Sequence, residues 1–185
     1  AGEIYPDFVK ITMETVSELA QRINMKYDRD GDQHYDIHSA LQKSIRGSDE
    51  NAALHYAARL MAAGDIISLS RRLLVIASED VGLAYPNAVT IVKSCVDSAM
   101  QLGLPEARIP LAQAVVLLAT APKSNSAYEA INSAMDDVNK GLAIDFPRCL
   151  QNKHFDGDDV KVKGQFYKYP HDYPNHWTEQ QYMPY

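Results

Sequence analysis

Two histidines spaced four residues apart are the side chains of this sequence best placed to bind a metal. His34 and His38 share one face of any helix that contains both. The zinc-protease motif with this spacing also needs a glutamate directly after the first histidine, where this sequence has Tyr35. The sequence around the pair also shows no third ligand, so the pattern does not predict a metal site.

Two further polar groups resemble sites but miss essential positions. The run DRDGD at residues 28–32 resembles a calcium loop, which needs glycine at its sixth position and glutamate at its twelfth. Here Gly31 is fourth and Ser39 is twelfth. His171 and Asp172 resemble the pair of metal phosphohydrolases, but they lie between two prolines and off any predicted helix. Both groups are interpreted as turns, and no catalytic, cofactor-binding or metal-binding residue is predicted.

A charged segment at residues 78–82 is expected to have a structural role. Arg72 and Glu79 are seven residues apart, which is two turns along one helix face. We expect the segment to fold back at a helix end, with Glu79 or Asp80 meeting an arginine or capping free N–H groups. The alternative is a solvated surface pair, which contributes little to stability.

The middle of the chain is locally basic although the formal net charge is −6. An acidic total argues against a dedicated nucleic-acid surface, because phosphate binding needs a positive field. A modest phosphate-contacting patch and an ordinary charged helix surface both remain open. The basic residues are Lys43, Arg46, Arg59, Arg71 and Arg72.

Composition bounds the class of protein. With 185 residues, 46% hydrophobic and 23% charged, the chain is typical of a soluble globular protein with one large domain or one domain and a tail. It contains neither an apolar run of about 18 residues nor a signal peptide, which favours the cytoplasm and no membrane partner. Cys95 and Cys149 are predicted to be reduced thiols. No G-x-x-x-x-G-K-[ST] run is present, so no phosphate-binding loop of that type is encoded.

Apolar periodicity predicts an all-α antiparallel helical array with no strand before residue 145. Thr12 and Ser48 are predicted N-caps, Gly47 a left-handed helix end, and Pro86 a first-turn residue. The sixth helix is apolar nearly all round and should be central. The seventh carries one apolar stripe of Tyr128, Ile131, Met135 and Val138. The predicted helices cover about residues 12–23, 37–45, 49–64, 65–77, 86–103, 111–120 and 126–139.

After residue 145 the chain changes character. Prolines interrupt it, and seven of its 16 aromatic residues lie in the last 20 positions, which is too apolar for a solvated disordered tail. We expect an extended segment packed over the helices of its own chain or over a neighbouring subunit. The seven aromatic residues are Phe166, Tyr167, Tyr169, Tyr173, Trp177, Tyr182 and Tyr185.

Several short runs in a fixed order resemble one family. Residues 44–49 read SIRGSD, residues 77–82 ASEDVG, residues 121–125 APKSN, and residues 169–173 YPHDY. Together they resemble the C-terminal part of the replication-associated recombination protein A family, bacterial relatives of the Werner-helicase-interacting AAA+ ATPases. The likeness extends over almost the whole chain. One departure is Asn175-His176, where the family tends to have glycines.

The resemblance implies a parent protein with an upstream AAA+ core that binds ATP and Mg²⁺ and acts on DNA at stalled replication forks in the nucleoid. It implies residues 1–26 as the end of the AAA+ lid, residues 27–144 as a homotetramerising domain related to the clamp-loader collar, and residues 145–185 as the extended segment. Single-strand DNA-binding protein is a further expected partner. This chain itself is expected to be non-catalytic.

Two other functions are kept as alternatives. One is a DNA- or protein-binding adaptor that uses the basic residues, and the other is a small helical metal-dependent enzyme. The residues expected to matter for structure or subunit contact are Arg46, Arg72, Glu79, Asp80, Lys123, Tyr169, His171, Asp172, Tyr173 and Trp177.

Overall fold

The structure is a computed structural model that describes residues 3–5, 8–10, 12–13, 32–142, 144–151, 164 and 166–184. Its contacts divide the chain into two compact units, Ala1–Tyr128 and Glu129–Tyr185. The sequence placed a boundary at residue 144 instead. Most of the predicted first helix and the DRDGD run before Asp32 lie outside the described residues.

A short antiparallel hairpin opens the described structure. Strand β1 (Glu3–Tyr5) pairs with β2 (Phe8–Lys10), and Ile4 lies opposite Val9. The prediction of no strand before residue 145 is therefore wrong. Three residues hold less than two periods of in–out alternation, so such strands leave no periodic signal in the sequence.

The other described elements of the first unit are all helical, which confirms the all-α class. The described helices are α1 (Asp32–Arg46), α2 (Glu50–Ala62), α3 (Ile66–Ile76), α4 (Ala88–Leu102), α5 (Arg108–Thr120) and α6 (Ser126–Asn139). Helix α6 begins in the first unit and leads into the second. A π-helical turn (Ala77–Val81) and a 3₁₀ turn (Gly82–Ala84) follow α3. The second unit adds three 3₁₀ turns, at Arg148–Leu150, Pro170–Asp172 and Pro174–His176. No described helix has the length and apolar character needed to cross a bilayer.

Helix α5 lies at the centre of the first unit, as predicted. It contacts α1, α2, α3 and α4. Leu111, Val115 and Leu118 are fully buried on it. Burying each of these side chains contributes roughly 1.5–3 kcal/mol relative to leaving it in water. The core therefore forms around α5.

The junction between α1 and α2 differs by one residue from the prediction. Helix α1 runs through Arg46, so the left-handed position falls on Ser48 (φ 59°) and not on Gly47. The N–H of Ser48 donates to Ile45 O, and the N–H of Asp49 donates to Ser44 O. These two bonds form a Schellman motif. Asp49, and not Ser48, caps α2 by accepting a first-turn N–H.

Ser48→Gly should stabilise the fold by about 0.5–1 kcal/mol, because glycine adopts a positive φ without steric cost. Urea unfolding followed by circular dichroism measures the change. Ser48→Ala is the matched variant: it keeps the strain and should not stabilise. Equal midpoints for the two variants would contradict a left-handed Ser48.

Three other helix starts also moved. Helix α1 begins at Asp32, earlier than predicted, so it includes both His34 and His38. Pro86 precedes α4 and does not lie within its first turn. Helix α5 begins three residues before Leu111. Capping and turn residues compete at helix ends, so predicted boundaries differ from the observed ones by a few residues although the helices are present.

Candidate functional site

Polar side chains from three segments form one hydrogen-bonded network that includes Asp80. Arg46 Nε donates to Asp80 Oδ1, and Gln42 Nε2 donates to Asp80 Oδ2 at 3.1 Å. Arg46 Nη2 also donates to Glu79 Oε1 at 3.2 Å, while Arg72 Nη1 donates to Gln42 Oε1 at 3.1 Å. We call Gln42, Arg46, Arg72, Glu79 and Asp80 the Asp80 network.

Local structure explains how these residues meet. Gln42 and Arg46 are four apart on α1, so they share one helix face. The two carboxylates come from the π-helical turn Ala77–Val81, which continues α3 with a wider winding. Asp80 is only 4% exposed, whereas Arg46 is largely open to solvent. The network therefore joins the end of α1 to the end of α3.

Carboxylates of this segment do meet an arginine, as expected, but that arginine is not Arg72. Arg46, and not Arg72, meets Glu79, and Arg72 donates to an amide oxygen of α1 instead. The seven-residue spacing assumed continuous α-helix, but α3 ends at Ile76 and the winding changes after it. That change rotates Glu79 away from the face that carries Arg72.

The Asp80 network is electrostatically satisfied. The hydrogen bond to Asp80 is the main cause that raises the pKa of Arg46, and the charges of Asp80 and Glu79 add to it. Both oxygens of Asp80 already accept hydrogen bonds. A carboxylate held in this way fixes a helix end and is poorly placed to act as a general base.

The segment after α5 packs against the same turn. Ser124 N donates to the backbone oxygen of Asp80 at 2.8 Å. Lys123 Nζ donates to Ala119 O at 2.8 Å and to Ala121 O at 2.6 Å, so it caps the carbonyl end of α5. Burial lowers the pKa of Lys123, and the charge of Asp80 opposes that shift. Three of the runs that carry the family resemblance therefore meet at one place.

The basic residues do not form one available patch. Arg46 is paired with two carboxylates, so its charge is compensated. Lys43 and Arg71 are exposed, and Arg59 is partly buried. The pairing of Arg46 weakens the adaptor alternative, because a phosphate would have to compete with carboxylates already in place.

The candidates of the second unit lie in or beside two consecutive 3₁₀ turns. The ring of His171 lies 5.0 Å, centroid to centroid, from Tyr169 and from His176. Asn175 and His176 have positive φ angles of 59° and 55°. Glycine adopts such angles most readily, so both residues occupy a conformation that favours glycine. The remaining candidates, Asp172, Tyr173 and Trp177, are exposed.

Two residues of the first unit escaped the sequence reasoning. Gln42 carries no charge, and its only signal was its position one turn before Arg46. Asp65 is buried beside His34 and His38, and its only signal was its place directly after Gly64. The contacts of Gln42 with Asp80 and of Asp65 with His34 join residues 30 or more positions apart. Periodicity within one helix therefore does not reveal them.

Helix α6 presents an apolar face that no other described residue buries. Tyr128, Ile131, Met135 and Val138 fall on one stripe, as predicted, and their side chains are 43% to 63% exposed. None of the residues of α6 is buried in the described structure. The stripe is therefore an exposed apolar surface within the described structure.

Two family models match the chain. The model described as "MgsA AAA+ ATPase C terminal" matches residues 47–185, and the model "AAA C-terminal domain" matches residues 4–46. The first match alone covers more than half of the chain and includes the turn that carries Asp80.

Individual relatives agree with these models. Replication-associated recombination protein A of Bacillus subtilis (strain 168) is 53% identical over 99% of this chain and 42% of its own length. The protein of the same name from Escherichia coli (strain K12) is 40% identical over 88% of this chain and 36% of its own length. ATPase WRNIP1 of Dictyostelium discoideum is 37% identical over 64% of this chain and 14% of its own length. This chain thus spans about two-fifths of the length of its bacterial relatives, and it belongs to the MgsA AAA+ ATPase C-terminal family, the family of replication-associated recombination protein A.

Proposed function

We propose that this chain is the self-association domain of a AAA+ ATPase that acts in DNA replication and recombination, and that it assembles as a homotetramer. The name of the Bacillus subtilis relative supports a role in replication and recombination. The family model supports a position at the C-terminal end of a AAA+ ATPase. ATP, Mg²⁺ and the DNA of stalled forks would be bound by the parent's AAA+ core. Single-strand DNA-binding protein would be a partner of the whole protein.

The apolar stripe of α6 is the observation that carries this proposal. Its four large side chains at helical spacing are 43% to 63% exposed, and no residue of α6 is buried within the described structure. Covering them would remove a continuous apolar strip from water, which is the main favourable term in association. Tyrosine and methionine are also enriched at protein interfaces.

A second copy of the chain is the occupant we favour. Two α6 helices packed about a twofold axis would each cover the other's stripe with the same residues, as in most symmetric dimers. A tetramer needs a second interface. The exposed aromatic side chains of the second unit, including Trp177 at 70% exposure, supply apolar area with polar tips for it.

The chain should elute as a tetramer in size-exclusion chromatography with light scattering at micromolar concentration. The double variant Ile131→Glu with Met135→Glu should dissociate it, because two buried charges in the stripe would be unpaired. Ser133→Glu is the matched control, since it adds a charge to the opposite, exposed face of α6 and should leave the tetramer intact. A monomeric unmodified chain, or equal masses for the stripe variant and the unmodified chain, would overturn the proposal.

A consequence for the parent protein follows from multivalency. Four linked DNA-binding cores raise the apparent affinity for a branched DNA, because the second contact is intramolecular. The stripe variant in the full-length parent should therefore weaken fork binding at least about tenfold and leave the ATPase rate per subunit almost unchanged. Unchanged fork affinity in a dissociated parent would show that assembly has another purpose.

A further inference from the structure

His34, His38 and Asp65 form a compact cluster on the side of α1 that faces the start of α3. His34 Nδ1 lies 3.4 Å and His38 Nε2 lies 3.9 Å from the same atom, Asp65 Oδ2. The two imidazole rings are 4.5 Å apart between centroids and nearly perpendicular. Each residue offers one ligand atom, and these three atoms lie within 4.8 Å of one another.

Backbone structure holds the carboxylate in place. Gly64 takes a left-handed conformation (φ 76°) that ends α2, and Asp65 directly follows it as the N-cap of α3. Asp65 Oδ1 accepts the N–H of Ser68 at 3.2 Å. The capping bond orients the carboxyl group so that Oδ2 points at the histidines. Asp65 is 1% exposed, so it is a buried carboxylate with fixed geometry.

His38 has an incomplete set of partners. It is 4% exposed, and neither of its ring nitrogens makes a hydrogen bond within the described structure. Leaving a buried polar atom unpaired costs about 1–3 kcal/mol, so most such atoms have a protein, water or ion partner.

We propose that His34 Nδ1, His38 Nε2 and Asp65 Oδ2 bind one Zn²⁺ ion. Tetrahedral zinc sites with bonds of about 2.0–2.1 Å place their ligand atoms about 3.3 Å apart, close to the separation of His34 from Asp65. A small inward movement of His38 would complete the triad. His34 and His38 line a cleft together with Tyr35, Ser68, Arg71, Arg72 and Val75, and water in it can supply a fourth ligand.

The donor set selects the metal. Two imidazole nitrogens and one carboxylate suit Zn²⁺ and disfavour Ca²⁺ and Mg²⁺, which prefer an all-oxygen shell. Arg72 lies close enough to His38 for its charge to be felt there, which works against any cation. The negative charge of Asp65 opposes that repulsion. All three ligands come from one chain, so the site does not depend on the proposed assembly.

The expected effect of the bound Zn²⁺ is structural. Two ligands lie on α1 and the third caps α3, so a bound ion would cross-link these helices through the loop between α2 and α3. An ion bound only by the folded chain raises the melting temperature in proportion to the logarithm of its concentration. The protein's own residues would need only a small rearrangement to accept it.

The test is equilibrium dialysis of the 185-residue chain against buffered Zn²⁺, together with thermal melts at each Zn²⁺ concentration. We expect one Zn²⁺ per chain and a melting temperature that rises with Zn²⁺. His34→Ala should weaken binding at least about 100-fold, because it removes a direct ligand. His34 is the partly exposed member of the cluster, so this variant should fold.

Two further variants make the result decisive. His38→Gln keeps the buried volume and should also abolish the zinc-dependent rise, while His55→Ala removes an exposed histidine of α2 and should leave it unchanged. Co²⁺ bound to the unmodified chain should give the intense visible absorption of a tetrahedral site. An absence of stoichiometric Zn²⁺ binding, or binding that survives both His34→Ala and His38→Gln, would overturn the proposal and identify the cluster as a buried His–Asp pair without a metal.

Discussion

Gly82→Ala should destabilise the fold by about 3–5 kcal/mol, the largest loss we expect from any single methyl group in this chain. Gly82 has φ 47° and ψ −132°, a conformation open to glycine alone for practical purposes. A Cβ atom at this position would lie 2.5 Å from the backbone oxygen of Ser124. Backbone cannot move aside as a side chain can, and Ser124 is also anchored by its N–H bond to the carbonyl of Asp80.

Gly103→Ala separates the cost of the backbone strain at Gly82 from the cost of the steric clash with Ser124. Gly103 also has a positive φ (69°, with ψ 174°), but nothing lies within 4 Å of its would-be Cβ. This variant should therefore cost only the strain, about 1–3 kcal/mol. Urea unfolding of both variants measures the difference. If Gly82→Ala were no less stable than Gly103→Ala, the close approach of residues 121–125 to the turn would be wrong.

Asp80→Ala should cost about 2–4 kcal/mol, because it removes a buried acceptor from two donors. Gln42 would lose its partner in a part-buried position, and Arg46 would keep only its contact with Glu79. The half-exposed guanidinium can be rehydrated, which holds the loss below that of a fully buried pair. Thermal and urea unfolding of the chain measure the change.

Two companion variants identify the source of that loss. Glu79→Ala should cost no more than about 1 kcal/mol, because its contact with Arg46 is exposed. Asp80→Asn keeps the shape and one acceptor but not the charge, and should fall between the other two. Equal stability of Asp80→Ala and Glu79→Ala would mean that the Asp80 network is an ordinary surface pair.

Periodicity within the chain was sufficient to predict the helices. Apolar residues at helical spacing predicted α2 to α6 and, from Ile37 onward, α1. The central position of α5 followed from its apolar character on all sides, since such a helix must be covered all round. The stripe of α6 was equally visible. Whether a stripe such as that of Ile131 is buried in the same chain depends on what packs nearby, so its exposure became clear only in the structure.

Helix ends were less predictable because local signals compete there. Gly47 was the obvious residue for the left-handed position, yet α1 continues one residue further and Ser48 takes it. Helix α1 packs against α2 and α5, and such tertiary contacts are not visible to local sequence signals. The same competition moved the cap of α2 to Asp49.

Helical spacing therefore determined the fold class and the central helix, because each depends on patterns within a few turns of chain. The family followed from the resemblance carried by the short runs. Only the tertiary structure decided which charges meet. Arg46 and Asp80 are 34 positions apart, and Asp65 reaches His34 from another helix. Such partners depend on how α1 and α3 cross in space, and no local periodicity encodes that crossing. The same packing turned a histidine pair without an apparent third ligand into a three-residue cluster, for which we propose a zinc ion.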